Sequence, residues 1–134
     1  MIETIFGFNP DLAVLILRLF AGLLFIVHGY PKLFGSQRKM ALGFMKSKGM
    51  PSWMATFGGV AEFFGGLALI LGILTPIIAF LFVLWMISTT WFSKTKLQKK
   101  LQGGYEFDLT LLAISIAIVL LGSGVFSVDH LISI

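Results

Sequence analysis

The chain alternates long apolar runs with short polar, mostly basic, stretches. The first run extends from Leu12 to Tyr30; its ~19 residues, at ~1.5 Å of rise each, span roughly 28 Å of helix, close to the thickness of a bilayer's hydrocarbon. Asn9, Pro10 and Asp11 open it as a helix cap, a first-turn proline and a dipole-matching acid, and Pro31 closes it. A second run, 53–74, meets a third, 76–92, across Thr75, where threonine can cap and Pro76 can occupy the first turn of a tight hairpin. The fourth covers about 108–125, with Gly122, Ser123 and Gly124 loosening its far end. Short connections between consecutive spans predict antiparallel neighbours, and inside lipid a helix is the element that satisfies its own backbone polar groups. The predicted fold is therefore an all-α membrane protein, a single domain over 1–134 built as an antiparallel bundle of four transmembrane helices.

Between the first two runs, Met40, Ala41, Phe44 and Met45 recur at helical spacing while Arg38, Lys39 and Lys46 occupy other faces. This pattern predicts a short amphipathic helix lying in the membrane interface, over about Ser36 to Lys48 and interrupted by Gly43, with the capacity to hold anionic lipid.

Composition supports a lipid-solvated chain, because 57% hydrophobic and 12% charged residues leave too little polar surface for a soluble domain. The net charge of +4 does not indicate nucleic acid, since the basic residues lie between apolar runs and not on a soluble face. Their distribution indicates topology instead. Lys32, Arg38, Lys39, Lys46, Lys48, Lys94, Lys96, Lys99 and Lys100 all fall at one end of the bundle, whereas Glu3, Asp11 and Asp129 fall at the other with no Lys or Arg. The positive-inside rule then predicts a multi-pass protein of the cell membrane with both termini on the non-cytoplasmic side. The leader before the first run lacks basic residues, so that run reads as a retained helix and not a cleaved signal. With no cysteine, the chain has no disulfide framework and no thiol chemistry of its own.

Charge inside the apolar runs raises the functional question. Arg18 and Glu62 fall within the first and second runs, where insertion of a charge costs about 2.5 to 3.5 kcal/mol. Counted from the far ends of their helices, they lie at depths of roughly 10 Å and 18 Å, a gap that an extended arginine side chain nearly bridges. The expectation is an interhelical ion pair that either locks two helices together or borders a polar ligand or proton site. Gly22, Gly58, Gly59, Gly65 and Gly66 flank these charges at helix-face spacing, which suits close helix packing and could also leave room for a flat ligand. His28, near the basic end of the first helix, is expected at the depth of Glu106 and Asp108, which open the fourth; either acid could orient it as a proton shuttle, although paired acids at a helix start also match the macrodipole. Arg18, His28, Glu62, Glu106 and Asp108 are thus the candidate intramembrane polar residues, with no metal-ligand cluster. Trp53, Trp91, Tyr30 and Tyr105 form an aromatic belt at the basic end.

Taken in order, Arg18 with Gly22, His28-Gly29 followed by Lys32, Glu62 with Gly65-Gly66 and Gly72, and Gly103-Gly104-Tyr105-Glu106 make the chain from about Leu12 to Leu121 resemble the DoxX family of small membrane proteins. That family includes the DoxD-like subunit of thiosulfate:quinone oxidoreductase. The resemblance implies a four-helix membrane fold and association with redox partners or quinone, while many members have no established reaction. The long extra segments of a complete thiosulfate-oxidising enzyme are missing here, so a substrate-oxidising site within this chain alone is not implied.

Three functions are compatible with the sequence. The first is an accessory or scaffold subunit of a membrane redox complex, in contact with lipid and other subunits or with a second copy of itself. The second is a quinone-linked oxidoreductase component with Arg18, Glu62 and His28 lining a quinone or proton site, which requires an apolar cleft between helices. The third is a small transporter or channel using Glu62 as its coupling carboxylate, a role that a fixed cationic partner would oppose. No cofactor other than quinone, and no nucleic acid, is suggested. Whether the chain is itself an enzyme is not decided by its sequence.

Overall fold

The computed structural model describes residues 7–133; Glu3 and the rest of the leader before Gly7 lie outside them. Four helices are long and apolar enough to cross a membrane. Helix α1 covers Pro10–Leu33, α2 Gln37–Ser47, α3 Trp53–Leu71, α4 Thr75–Thr95, α5 Glu106–Leu121 and a short α6 Val128–Leu131. The chain is an all-α membrane bundle of four antiparallel spans, with the amphipathic helix α2 between the first two.

Asn9 caps α1 as expected, its side-chain oxygen accepting the Leu12 N–H at 3.0 Å, with Pro10 and Asp11 in the first turn. Pro31 does not end the helix. Its ring removes a single backbone donor in the last turn, and α1 continues to Leu33 before Phe34 donates its N–H to the Tyr30 carbonyl. Lys32 is thereby a helical residue and not part of a free loop. The second span stops at Leu71, three residues short of the sequence boundary, because Gly72 adopts a left-handed conformation (φ 73°) and donates to the Ala68 carbonyl. The fourth stops at Leu121 and not near residue 125: Gly122, at φ 79°, turns the chain back across the end of the bundle toward α6.

Because lipid is as apolar as a leucine core, packing contact, not removal from water, holds these helices together. The closest approach is α1 against α3. A methyl group on Gly22 would stand 2.6 Å from the Gly66 carbonyl oxygen, and one on Gly66 equally close to the Gly22 carbonyl, so the two backbones touch at this crossing. Two turns further on, Gly29 meets the backbone of Gly59 and Phe63 in the same way. Helix α4 packs chiefly on α5. The two pairs are joined through the centre, where Phe25 of α1 and Phe82 of α4 stack with ring centroids 3.7 Å apart. Helices α3 and α4, although connected by a turn of only 72–74, touch much less than either pair. The hairpin expected to be tight is tight at its turn and opens along its length.

Candidate functional site

The structure assigns the two intramembrane charges to opposite ends of the α1–α3 contact. Arg18 is 1% exposed, yet its partners are carbonyls and not a carboxylate. Its Nε donates to the Leu69 oxygen at 2.9 Å, Nη1 to Ser123 at 2.7 Å, and Nη2 to Ile70 at 3.2 Å and Phe126 at 2.8 Å. The last carbonyls of a helix have no intrahelical donor and carry its partial negative charge. The guanidinium satisfies two of these on α3 and ties the returning 122–131 segment to the same point.

Asp129 is the complement. It is 1% exposed and accepts the N–H groups of Leu74 (2.6 Å) and Thr75 (2.8 Å) together with the Ser123 hydroxyl (2.7 Å). Those N–H groups open α4, so a carboxylate sits at a helix start while a guanidinium sits at the preceding helix end, each matched to the local dipole. Burial alone would push the Asp129 carboxyl up; the hydrogen bonds from Thr75, Ser123 and Leu74 outweigh it and hold the group below its ordinary value. A depressed native pKa stabilises the fold above the unfolded-state value, about 3.9 for Asp, and that stabilisation is lost as pH falls toward and through the native one. Thermal midpoints in detergent between pH 7 and 3 should therefore fall more on acidification for the wild type than for Asp129→Asn. Parallel curves would remove Asp129 as the titrating group.

Glu62 has different neighbours. It is 6% exposed, with Oε2 2.7 Å from the Lys32 ammonium and Oε1 accepting the Trp85 indole N–H at 3.0 Å. Among the described residues this is the ion pair the fold makes. The expected Arg18–Glu62 pair does not form, and the register explains why. Depths counted from helix ends assume flush ends, but α1 crosses α3 at Gly22 and Gly66, leaving Arg18 outward of the crossing and Glu62 inward of it, against Gly29. Arg18 and Gly29 are about 16 Å apart along α1, farther than an arginine side chain extends.

The other candidates are not brought together either. His28 is exposed and packs on Phe107 at 4.9 Å between ring centroids, which does put it at the depth of the start of α5. Neither acid orients it: Glu106 accepts the Gly103 N–H at 2.8 Å, and Asp108 accepts the Ser93 hydroxyl at 3.0 Å. Of the glycines, Gly22, Gly59 and Gly66 bring α1 and α3 together, whereas Gly58 faces the Trp85 ring and Gly65 the Phe82 ring of α4.

Beside Glu62 the parting of α3 from α4 leaves a cleft of about 630 Å³, walled by α2, α3 and α4 and by Lys32. Met45, Met50 and Met54, Phe44, Trp91 and Phe92 make it apolar, and the Trp85 ring forms part of its wall. The Lys32 side chain is 33% exposed and uses one of its three N–H donors on Glu62. A buried carboxylate thus holds an ammonium and an indole at the rim of a greasy, laterally open hollow. Lys32 and Asp129 entered the sequence reading only through charge topology and, for Lys32, the family resemblance, and Trp85 not at all; none of the three was among the candidate polar residues. The usable signal for Trp85 was its position deep in the third run, away from the ends where interfacial tryptophans collect.

The chain is 34% identical over 119 residues to the putative oxidoreductase CatD of Bacillus subtilis (strain 168), an alignment that covers 89% of this chain and 86% of that protein. No solved structure matches it. The DoxX family model matches residues 13–95, the stretch that carries Arg18, Lys32, Glu62 and Trp85, and the chain belongs to the DoxX family.

Proposed function

We propose that the protein is the quinone-binding component of a membrane oxidoreductase, with the cleft beside Lys32 as its ligand site. The observation that carries this reading is the Lys32–Glu62–Trp85 arrangement at the edge of an apolar cleft. A quinone is a flat ring edged by carbonyl oxygens, and it supplies two-electron, two-proton chemistry when bound. The cleft fits it: its walls are apolar with few polar groups, as in most small-molecule sites. Lys32 has N–H donors left for a carbonyl oxygen, the indole of Trp85 offers a planar face, and Glu62 is the positioning residue that fixes both. With a quinone bound, the ammonium would also favour negative charge on that oxygen, an effect strengthened where water is scarce. The electrons come from a partner redox subunit, consistent with a chain that has no cysteine, and the oxidoreductase name of the Bacillus relative supports a redox setting.

The test is equilibrium binding of a short-chain ubiquinone analogue to the purified protein in detergent, read by tryptophan quenching and by thermal shift. Lys32→Ala should weaken binding about tenfold, the effect of losing ~1.4 kcal/mol from a charged hydrogen bond. Arg18→Lys should leave affinity unchanged once the folded fraction is accounted for. No saturable binding to the wild type, with partner subunits still co-purifying, would favour a scaffold role without a quinone site.

The nine-to-none division of basic residues between the two ends supports a cytoplasmic location for α2 and the 96–105 connection, with both termini on the far side. Single cysteines at Ser36 and Gln98 should resist an impermeant thiol reagent in intact cells, and one at Ser133 should react. The reverse pattern would invert the topology.

A further inference from the structure

A second hollow lies along the same seam. It has a volume of about 510 Å³, is walled by α3 and α4, and its lining is apolar throughout except for the rims of Trp85 and Ser88. Those two residues also line the cleft beside Lys32. The two hollows are therefore neighbours across one indole ring, whose N–H is tethered to Glu62.

Their order along the helices matters. On α3 the head cleft reaches from Met54 to Gly58 and the second hollow continues through Ala61 to Gly65, together about 16 Å of helix. Lys32 and the basic connections lie at one end of this path, and the apolar hollow leads from them toward the middle of the bundle. A molecule filling both would have its polar ring near the interface and a hydrocarbon chain pointing inward, the orientation an amphiphile adopts in a bilayer. Gly65 contributes by its missing side chain, since a methyl group there would press on the Phe82 ring at the back of the hollow.

We infer that the α3–α4 hollow is the tail subsite for the ligand whose head ring sits at Lys32, so that the protein selects long-tailed membrane quinones over tail-less ones. This rests on the quinone reading above. It adds a length requirement, set by Ala61, Gly65, Ile78 and Leu81, which the head site alone would not impose.

The experiment compares two probes with the same dimethoxy-methyl-benzoquinone ring, one without a tail and one with a ten-carbon tail, on the wild type, Ala61→Phe and Leu81→Trp. Leu81 is exposed on the lipid side of the hollow, so its substitution places little demand on folding if Ala61→Phe fails to fold. Comparing each probe with itself across variants cancels its partition into detergent. Both variants should weaken the tailed probe at least tenfold and leave the tail-less one within twofold. Unchanged affinity for the tailed probe, or an equal loss for both probes, would overturn the tail subsite while leaving the head site standing. Failure of both probes to bind the wild type would remove the head site, and the tail subsite with it.

Discussion

Replacing Arg18 with alanine should be the most damaging single change to a charged residue in this protein, at about 3 kcal/mol or more, the scale on which removing one member of a buried charged network destabilises a fold. The side chain donates to four carbonyls drawn from the end of α3 and from the segment that returns across it. Without it those oxygens lose the donor that gathers them, leaving Leu69 only the Gly72 N–H at 3.2 Å, and the buried Asp129 loses the positive charge nearest to it on α1. Arg18→Lys should recover only part of the loss, because an ammonium is a single point and cannot fork to carbonyls on both sides as a guanidinium does. Glu62→Ala should cost less, since the Lys32 it leaves behind is a third exposed and can turn its ammonium toward the interface. Arg18 and Glu62 share no partner, so their losses should add in the double mutant. Chemical unfolding in mixed micelles measures the four variants against the wild type. Recovery in the double mutant would restore a direct pair, and a loss below about 1 kcal/mol for Arg18→Ala would contradict the carbonyl-clamp role.

Gly22→Ala should come second. At Gly58, Gly59 and Gly65 an added methyl group first meets a side chain; here it meets the Gly66 carbonyl oxygen at 2.6 Å, with Ile70 at 2.7 Å behind it. Backbone at such a contact can give way only if the whole helix moves. Overpacking of a rigid site costs about 1 to 3 kcal/mol, and separation of α1 from α3 would also weaken the contacts at Gly29 and Gly59 further along. A loss of about 2 kcal/mol or more is expected. Gly43→Ala is the control: on α2 the added methyl group meets nothing within 4 Å, so the higher helix propensity of alanine should stabilise the protein by up to ~1 kcal/mol. Equal effects at the two positions would mean that the α1–α3 crossing is not close-packed.

These two sites also mark how far the sequence could be read. Four spans, the short amphipathic helix and the Asn9 cap were legible, because apolar run length, periodicity and capping chemistry are local properties of the chain. That Arg18 and Glu62 need partners was legible too, since either charge inside an apolar run must be satisfied, and both are buried and hydrogen-bonded. Their partners were not. A charge can be satisfied by carbonyl oxygens that every residue carries, and nothing in residue identity marks the end of α3 as the acceptor. The relative register of α1 and α3 is fixed by a glycine crossing in space, so a depth counted from each helix end misplaced one charge against the other. Pro31 concealed Lys32 in a similar way, because reading it as the end of α1 turned the lysine into loop charge. Asp129 was counted only toward topology, since the fold-back at Gly122 that carries it to the start of α4 depends on tertiary contacts.

The central claim is that ligand binds in the opening between α3 and α4, beside Lys32 and Trp85. Photolabelling of the protein in lipid nanodiscs with an azido-quinone, followed by peptide mapping, tests it most directly. The account predicts adducts concentrated on the cleft walls, at Met45, Met54 and Trp85 in particular, that are abolished by excess unlabelled quinone and reduced in Lys32→Ala. Adducts spread over the lipid-facing residues of α1 and α5, such as Phe20 and Leu120, and insensitive to competitor would contradict it.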